Sequence, residues 1–318
     1  MRTGLQHILA PLPDYVRQFV RSDFHWPKYL SIGIFLIISL FVNYRFEFET
    51  RFVNTTHFGD RFVRYILFYG FAYLVALALV RLTGHSWKNW RQAGFWWLLA
   101  AGVVIIAFSG SARGTYELAR QWFGSANYLY QGRIMAEMRG MLTTLVPLWL
   151  LWWAVKRHYD SFFGLTAHNL IVKPYLWLLA AMLPLIALAS TSPAFLETYP
   201  MCRLYGAAEY WQVSKAWLAG IYELTYASGF LSTELFFRGF LVIGLARFLE
   251  KDSVLPMVCV YAFLHFEKPL GEAIGSIFGG YLLGIFAYYS GNIWGGVILH
   301  VGVAMLMEGA AWLAGVMQ

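Results

Sequence analysis

The sequence predicts an all-α fold, a polytopic transmembrane helical bundle of eight or nine spans. Three observations predict it: 59% of the 318 residues are hydrophobic, only 13% are charged, and apolar runs of membrane length recur from end to end. Soluble domains average about 45–50% apolar and about 25% charged residues, so the chain lies outside that class. Aromatic residues make up 19% of the chain, including 14 Trp, which suits helix ends lying among lipid headgroups.

The elements follow in order. Residues 4–20 read as an interfacial helix broken by Pro11 and Pro13 rather than a signal peptide, because Asp14, Arg17, Arg21 and Asp23 interrupt any apolar core. A span needs about 20 mostly apolar residues. The candidate spans are Tyr29–Tyr44, Phe62–Val80, Ala93–Phe108, Gly140–Val155, Pro174–Ala189, Trp217–Leu249, Val254–His265, Leu270–Ser290 and Ile293–Leu313. The shortest, Val254–His265, reads as buried in protein rather than facing lipid. Two long connections remain. Residues 111–139 mix charges with aromatics and read as carrying a surface helix; residues 190–214 read as the lip of an entrance. Lys and Arg number twelve against ten on the two sides with the N-terminus inside, a slight bias of the expected sign. No inverted repeat or pair of broken helices is visible, which argues against a secondary transporter.

The net charge of +7 is scattered over many short loops. It forms no basic face for nucleic acid, and anionic lipid headgroups are its plainer partner. The only cysteines, Cys202 and Cys259, do not read as a disulfide.

The chemistry-bearing stretch is Thr233-Glu234-Leu235-Phe236-Phe237-Arg238-Gly239, inside the apolar run from Trp217. A charge at membrane depth costs roughly 2.5–3.5 kcal/mol on insertion scales, so it needs a partner or a purpose. Glu234 and Arg238 are four residues apart and share a helix face, where each offsets the other. Two more polar centres follow on later apolar runs: His265, closing Tyr261-Ala-Phe-Leu-His265, and His300, in Gly291-Asn-Ile-Trp-Gly-Gly-Val-Ile-Leu-His300. An acid and two imidazoles in low dielectric suit activation of water, with one imidazole donating to an oxyanion. The same set suits a zinc ion, though no HExxH or CxxC spacing supports that alternative. The competing reading of Glu234 and Arg238 is a structural ion pair. Tyr261 reads as core packing, and Glu223, about 16 Å along the helix from Glu234, as lining an entrance.

These three motifs, in this order, resemble the CAAX-prenyl-protease and bacteriocin-processing (CPBP, or Abi) family, whose pattern is Glu-Glu-x-x-x-Arg, Phe-x-x-x-His and His-x-x-x-Asn. Arg238-Gly239-Phe240 and Gly291-Asn292-Ile293-Trp294 look like family flanks. The resemblance covers about residues 215–310. It implies two parts, an N-terminal helical extension over 1–190 and a CPBP-like core over 191–318. It also implies intramembrane proteolysis by Glu/His-activated water without a required metal, on a membrane-embedded or membrane-associated protein or peptide. The expected location is the plasma (inner) membrane of a prokaryote, with a membrane protein complex as a further partner. By position, His265 is the water partner, His300 an oxyanion donor and Arg238 the organiser of the carboxylates. Thr233 stands at the principal catalytic glutamate, which a hydroxyl cannot replace as a base. Glu234, about 100° around the helix, matches the second glutamate. Ala304 replaces the Asn, and losing one such donor typically costs ~10²–10³ in turnover. The second reading is accordingly a catalytically inactive relative that uses its cavity for binding, immunity or assembly.

Overall fold

The structure, a computed structural model, describes residues 11–83, 87, 89–125 and 127–317, and among these all regular elements are helical. The first is α1, Pro11–Asp23. Pro11 and Pro13 both lie within its described length. Residues 4–10 of the expected interfacial helix lie outside the described residues. Then follow α2 (Trp26–Phe46), α3 (Phe58–Thr83), α4 (Ala93–Ser111), the short surface helix α5 (Thr115–Phe123) and α6 (Tyr128–Val155). The expected span at Gly140 thus begins twelve residues earlier. Its polar first half is satisfied internally: Arg133 lies 3.8 Å from Glu137, and Arg139 donates to the Ser109 carbonyl at 3.2 Å. A further apolar helix, α7 (Lys173–Ala189), and two short ones, α8 (Pro193–Thr198) and α9 (Ala207–Trp211), lead to the C-terminal region.

There α10 (Lys215–Glu234) runs on into a wider, π-type winding over Leu235–Gly244 and a short α11 (Ala246–Leu249). A turn over Glu250–Ser253 leads into α12 (Val254–Leu264), followed by α13 (Leu270–Ser290) and α14 (Trp294–Met317). Seven helical stretches are long and apolar enough to cross a membrane, which makes this an integral membrane protein. Among the described residues that count is close to the expected eight or nine, and two features account for the difference. The 17-residue α7 falls short, and Trp217–Leu249 and Val254–His265 belong to one helical run of 50 residues. That run doubles back. Arg238 and Tyr261 would be about 34 Å apart on a straight helix, yet the guanidinium lies 4.3 Å from the tyrosine ring. Glu250, at φ 53°, makes the reversal.

The returning arm α12 is buried from Val254 through Phe263, as its shortness and unbroken apolarity predict. One buried cluster extends from Leu12 to Ile293, so helices on both sides of residue 190 share a core.

Between α2 and α3, Glu49 is buried with one carboxylate oxygen on the Tyr65 hydroxyl, at 3.2 Å, and the other without a partner. Burial, reinforced by the neighbouring Glu267 carboxylate, pushes Glu49 up to about 8. An acid raised on folding binds more protons in the native state. Its contribution is therefore intact below about pH 4.3, its unfolded value, and is lost as pH rises through the folded value. The expected result is a thermal midpoint in detergent that falls between about pH 5 and pH 9, with a shallower fall in Glu49→Gln. Equal slopes in the two proteins would remove Glu49 from this account.

Candidate functional site

The motif residues come from three helices that the fold brings to one place. Glu234 ends α10, Arg238 lies in the π-type winding, His265 follows the last turn of α12, and His300 lies within α14. The last helix is set by the Gly291-Asn292-Ile293-Trp294 flank. Asn292 accepts from the Trp294 N–H at 3.2 Å and donates to the His168 carbonyl at 3.1 Å, while the Ile293 N–H reaches the Gly164 carbonyl at 3.1 Å. Those bonds tie the start of α14 to the loop after α6 and fix its register. The π-type winding is held from the same side: a side chain at Gly239 would meet the Phe163 carbonyl at 2.5 Å, so only glycine lets that loop approach.

Glu234 and Arg238 are both fully buried. The Glu234 Oε1 lies 2.9 Å from Arg238 Nη1 and 2.6 Å from His300 Nδ1. These are ion-pair distances whose angles miss hydrogen-bond alignment, leaving the guanidinium nitrogens, both carboxylate oxygens and His300 Nδ1 without aligned partners. The close approach needs Gly296, since a Cβ there would sit 1.8 Å from Glu234 Oε2. His300 stacks on Phe230 with ring centroids 5.5 Å apart, and its side chain stays 24% exposed. The carboxylate is thus behind the imidazole, not in front of it.

His265 does not join this contact directly. Its Nδ1 is 2.8 Å from the Tyr261 carbonyl, and its ring meets the Tyr261 ring edge-on at 4.5 Å. A carbonyl only accepts, so Nδ1 carries the proton, and Nε2 keeps its lone pair without a partner among the described residues. The ring is partly exposed. Thr233 is also partly exposed, but its hydroxyl donates back to the Gly229 carbonyl at 3.2 Å. Ala304 is buried and offers no donor.

Tyr261, read from the sequence as packing, is the link between these groups. Its hydroxyl is 3.0 Å from His300 Nε2, Arg238 lies over its ring, and its carbonyl receives His265. Its place at the head of the second motif was the available signal, since the family pattern has a phenylalanine there. Both His300 nitrogens are in contact, Nδ1 with Glu234 and Nε2 with the Tyr261 hydroxyl.

Beside the cluster is a cavity of about 280 Å³, walled by Thr233, Phe230 and Phe237 on one side and by Ser109, Glu137 and Thr144 on the other. The second wall comes from α4 and α6, helices the sequence reading treated as an extension. Within residues 190–214, expected as an entrance lip, Glu308 of α14 accepts the Met201 and Cys202 N–H groups at 2.7 and 3.2 Å, and Glu223 lies against that same carboxylate. Among the described residues, no three His, Cys, Asp or Glu side chains are grouped to hold a metal ion.

No curated protein and no solved structure matches the chain. Residues 213–306 match the family model described as type II CAAX prenyl endopeptidase Rce1-like. That segment begins just before α10 and ends beyond His300, so it contains every residue of the cluster. The site-bearing third of the chain is therefore similar to the Rce1-like family model, with Thr233 and Ala304 as departures from the motif pattern.

Proposed function

We propose that the chain is an intramembrane endopeptidase of the CPBP type, in which an imidazole, not a carboxylate, activates the water. The observation that carries this is the tautomer of His265, with Nδ1 bound to a carbonyl and Nε2 free on a partly exposed ring. In the reaction, His265 Nε2 takes a proton from water as the water oxygen bonds to the substrate carbonyl carbon. The imidazolium then returns that proton to the amide nitrogen as the C–N bond breaks. Glu234, buried at 2.6 Å from His300 Nδ1, orients the second imidazole as the buried carboxylate of a serine-protease triad orients its histidine. Thr233 places the water from the cavity wall, and Arg238 holds Glu234. The substrate is a membrane-embedded or membrane-associated protein or peptide, the expected membrane is the prokaryotic plasma (inner) membrane, and no step passes through a metal.

The test is cleavage of single-span peptides by purified protein in lipid vesicles, with new termini read by mass spectrometry. His265→Ala is expected to lower the rate by ~10²–10⁴-fold, the usual weight of general acid–base catalysis. Cleavage that survives His265→Ala, Glu234→Ala and His300→Ala alike ends the proteolytic assignment.

A second reading is favoured by Thr233 and Ala304. With the Thr233 hydroxyl spent on Gly229 and no donor at Ala304, the fold serves as a catalytically inactive binding, immunity or assembly subunit. Under that reading Thr233→Glu with Ala304→Asn leaves function unimproved; new proteolysis by the double variant speaks for a recoverable active site.

A further inference from the structure

We infer that Tyr261 is a positioning residue that sets the protonated nitrogen of both imidazoles, one through its hydroxyl and the other through its backbone carbonyl. For His265 the reasoning is closed by chemistry: the Tyr261 carbonyl at 2.8 Å only accepts, so the proton is on Nδ1. For His300 two neighbours act together. The Glu234 carboxylate, 2.6 Å from Nδ1 but out of hydrogen-bond alignment, does not alone hold the proton there; the Tyr261 O–H at 3.0 Å, donating to Nε2, keeps the N–H of the neutral ring on Nδ1. Glu234 alone leaves the ring free to tilt. A second contact at the opposite nitrogen fixes its plane.

Tyr261 is built to hold still. It is 4% exposed, the Arg238 guanidinium lies 4.3 Å from its ring, and Phe237 meets it edge-on at 4.9 Å. A Cβ at Gly280 would come within 2.9 Å of its ring, so α13 closes the remaining side. The phenol enters the cluster from α12, sandwiched between a cation and a glycine helix face, with its hydroxyl aimed at one atom. A phenylalanine fills the same space and keeps the cation–π contact, so packing alone does not call for the oxygen.

The consequence for hydrolysis rests on the proteolytic reading above; the tautomers do not. The experiment is ¹⁵N-histidine NMR of the full chain in detergent, with His300 and His265 assigned by loss of their signals in His300→Gln and His265→Gln. Wild type is expected to show both rings as single Nδ1–H tautomers. Tyr261→Phe is expected to turn His300 into a mixture of tautomers while His265, held by the unchanged carbonyl, stays as it was. In the vesicle assay kcat falls about 2- to 10-fold, the weight of one neutral hydrogen bond, with KM unmoved. A wild-type His300 protonated on Nε2, or a His300 spectrum unaltered by Tyr261→Phe, overturns the inference. The wild-type measurement needs no variant of Tyr261 to fold. Tautomers that respond as expected in a protein that cleaves nothing uphold the positioning role and dismiss the protease.

Discussion

Lys28→Met is expected to cost about 3–5 kcal/mol, the usual penalty for breaking a buried ion pair by removing one partner. Lys28 is fully buried, with Nζ 2.7 Å from Asp23 Oδ1 and 3.0 Å from Asp252 Oδ1. The other oxygens are also occupied. Asp252 Oδ2 accepts the Trp87 Nε1–H at 2.6 Å, Asp23 Oδ2 accepts the Tyr29 hydroxyl at 2.8 Å, and Tyr29 reaches the Tyr281 hydroxyl at 2.8 Å. Removing the ammonium leaves two carboxylates facing each other out of water. Replacing the whole set, as Lys28→Met with Asp23→Asn and Asp252→Asn, is expected to recover most of the loss. Thermal unfolding in detergent measures both, and a single variant within about 1 kcal/mol of wild type would mean that solvent reaches the cluster. The stake is functional as well. Asp252 lies in the turn where the helical run reverses, so the cluster clamps α1, α2 and α13 onto the pivot that sets the position of α12. Slack there moves Tyr261 and His265 together.

Much of this was legible in sequence, and the illegible part has a common cause. Apolarity located the membrane helices, and the short unbroken run at Val254 announced a buried arm. The Glu234–Arg238 pair was readable because its partners are one helical turn apart. Arg133, Glu137 and Arg139 hid the first half of α6, since a hydropathy pattern registers their charge but not the partners that satisfy it. The reversal at Glu250 was hidden by an unusual backbone angle on an ordinary residue. At the site, spacing named the acid and both histidines but not their order of contact. His300 touches Glu234, whereas His265 reaches the group through Tyr261. That order depends on a hydroxyl finding a nitrogen 39 positions away, which no local pattern encodes. The same holds for Ser109, Glu137 and Thr144, which reach the cavity from helices outside the motif segment.

Gly296→Ala is expected to disable the site while Gly279→Ala does not, although both lie on helices rich in small residues. An added Cβ at position 296 falls 1.8 Å from Glu234 Oε2 and 2.5 Å from its Cδ, whereas one at 279 meets nothing within 4 Å. Glu234 has little freedom to yield, because it is fully buried between Arg238 and His300. Overpacking of this kind costs about 1–3 kcal/mol. The larger effect is on chemistry: forcing the carboxylate off His300 removes the group that orients it, a loss of up to about 10⁴ in turnover where a triad loses its buried carboxylate. Gly279→Ala, in the interior of α13, is expected to leave cleavage intact and to gain about 0.5–1 kcal/mol from helix propensity. The pair separates two uses of glycine that look alike in sequence, close packing of backbones and room for a side chain. A Gly296→Ala protein that cleaves at the wild-type rate would show that the Glu234–His300 contact is a structural tie, and would leave His265 to act without it.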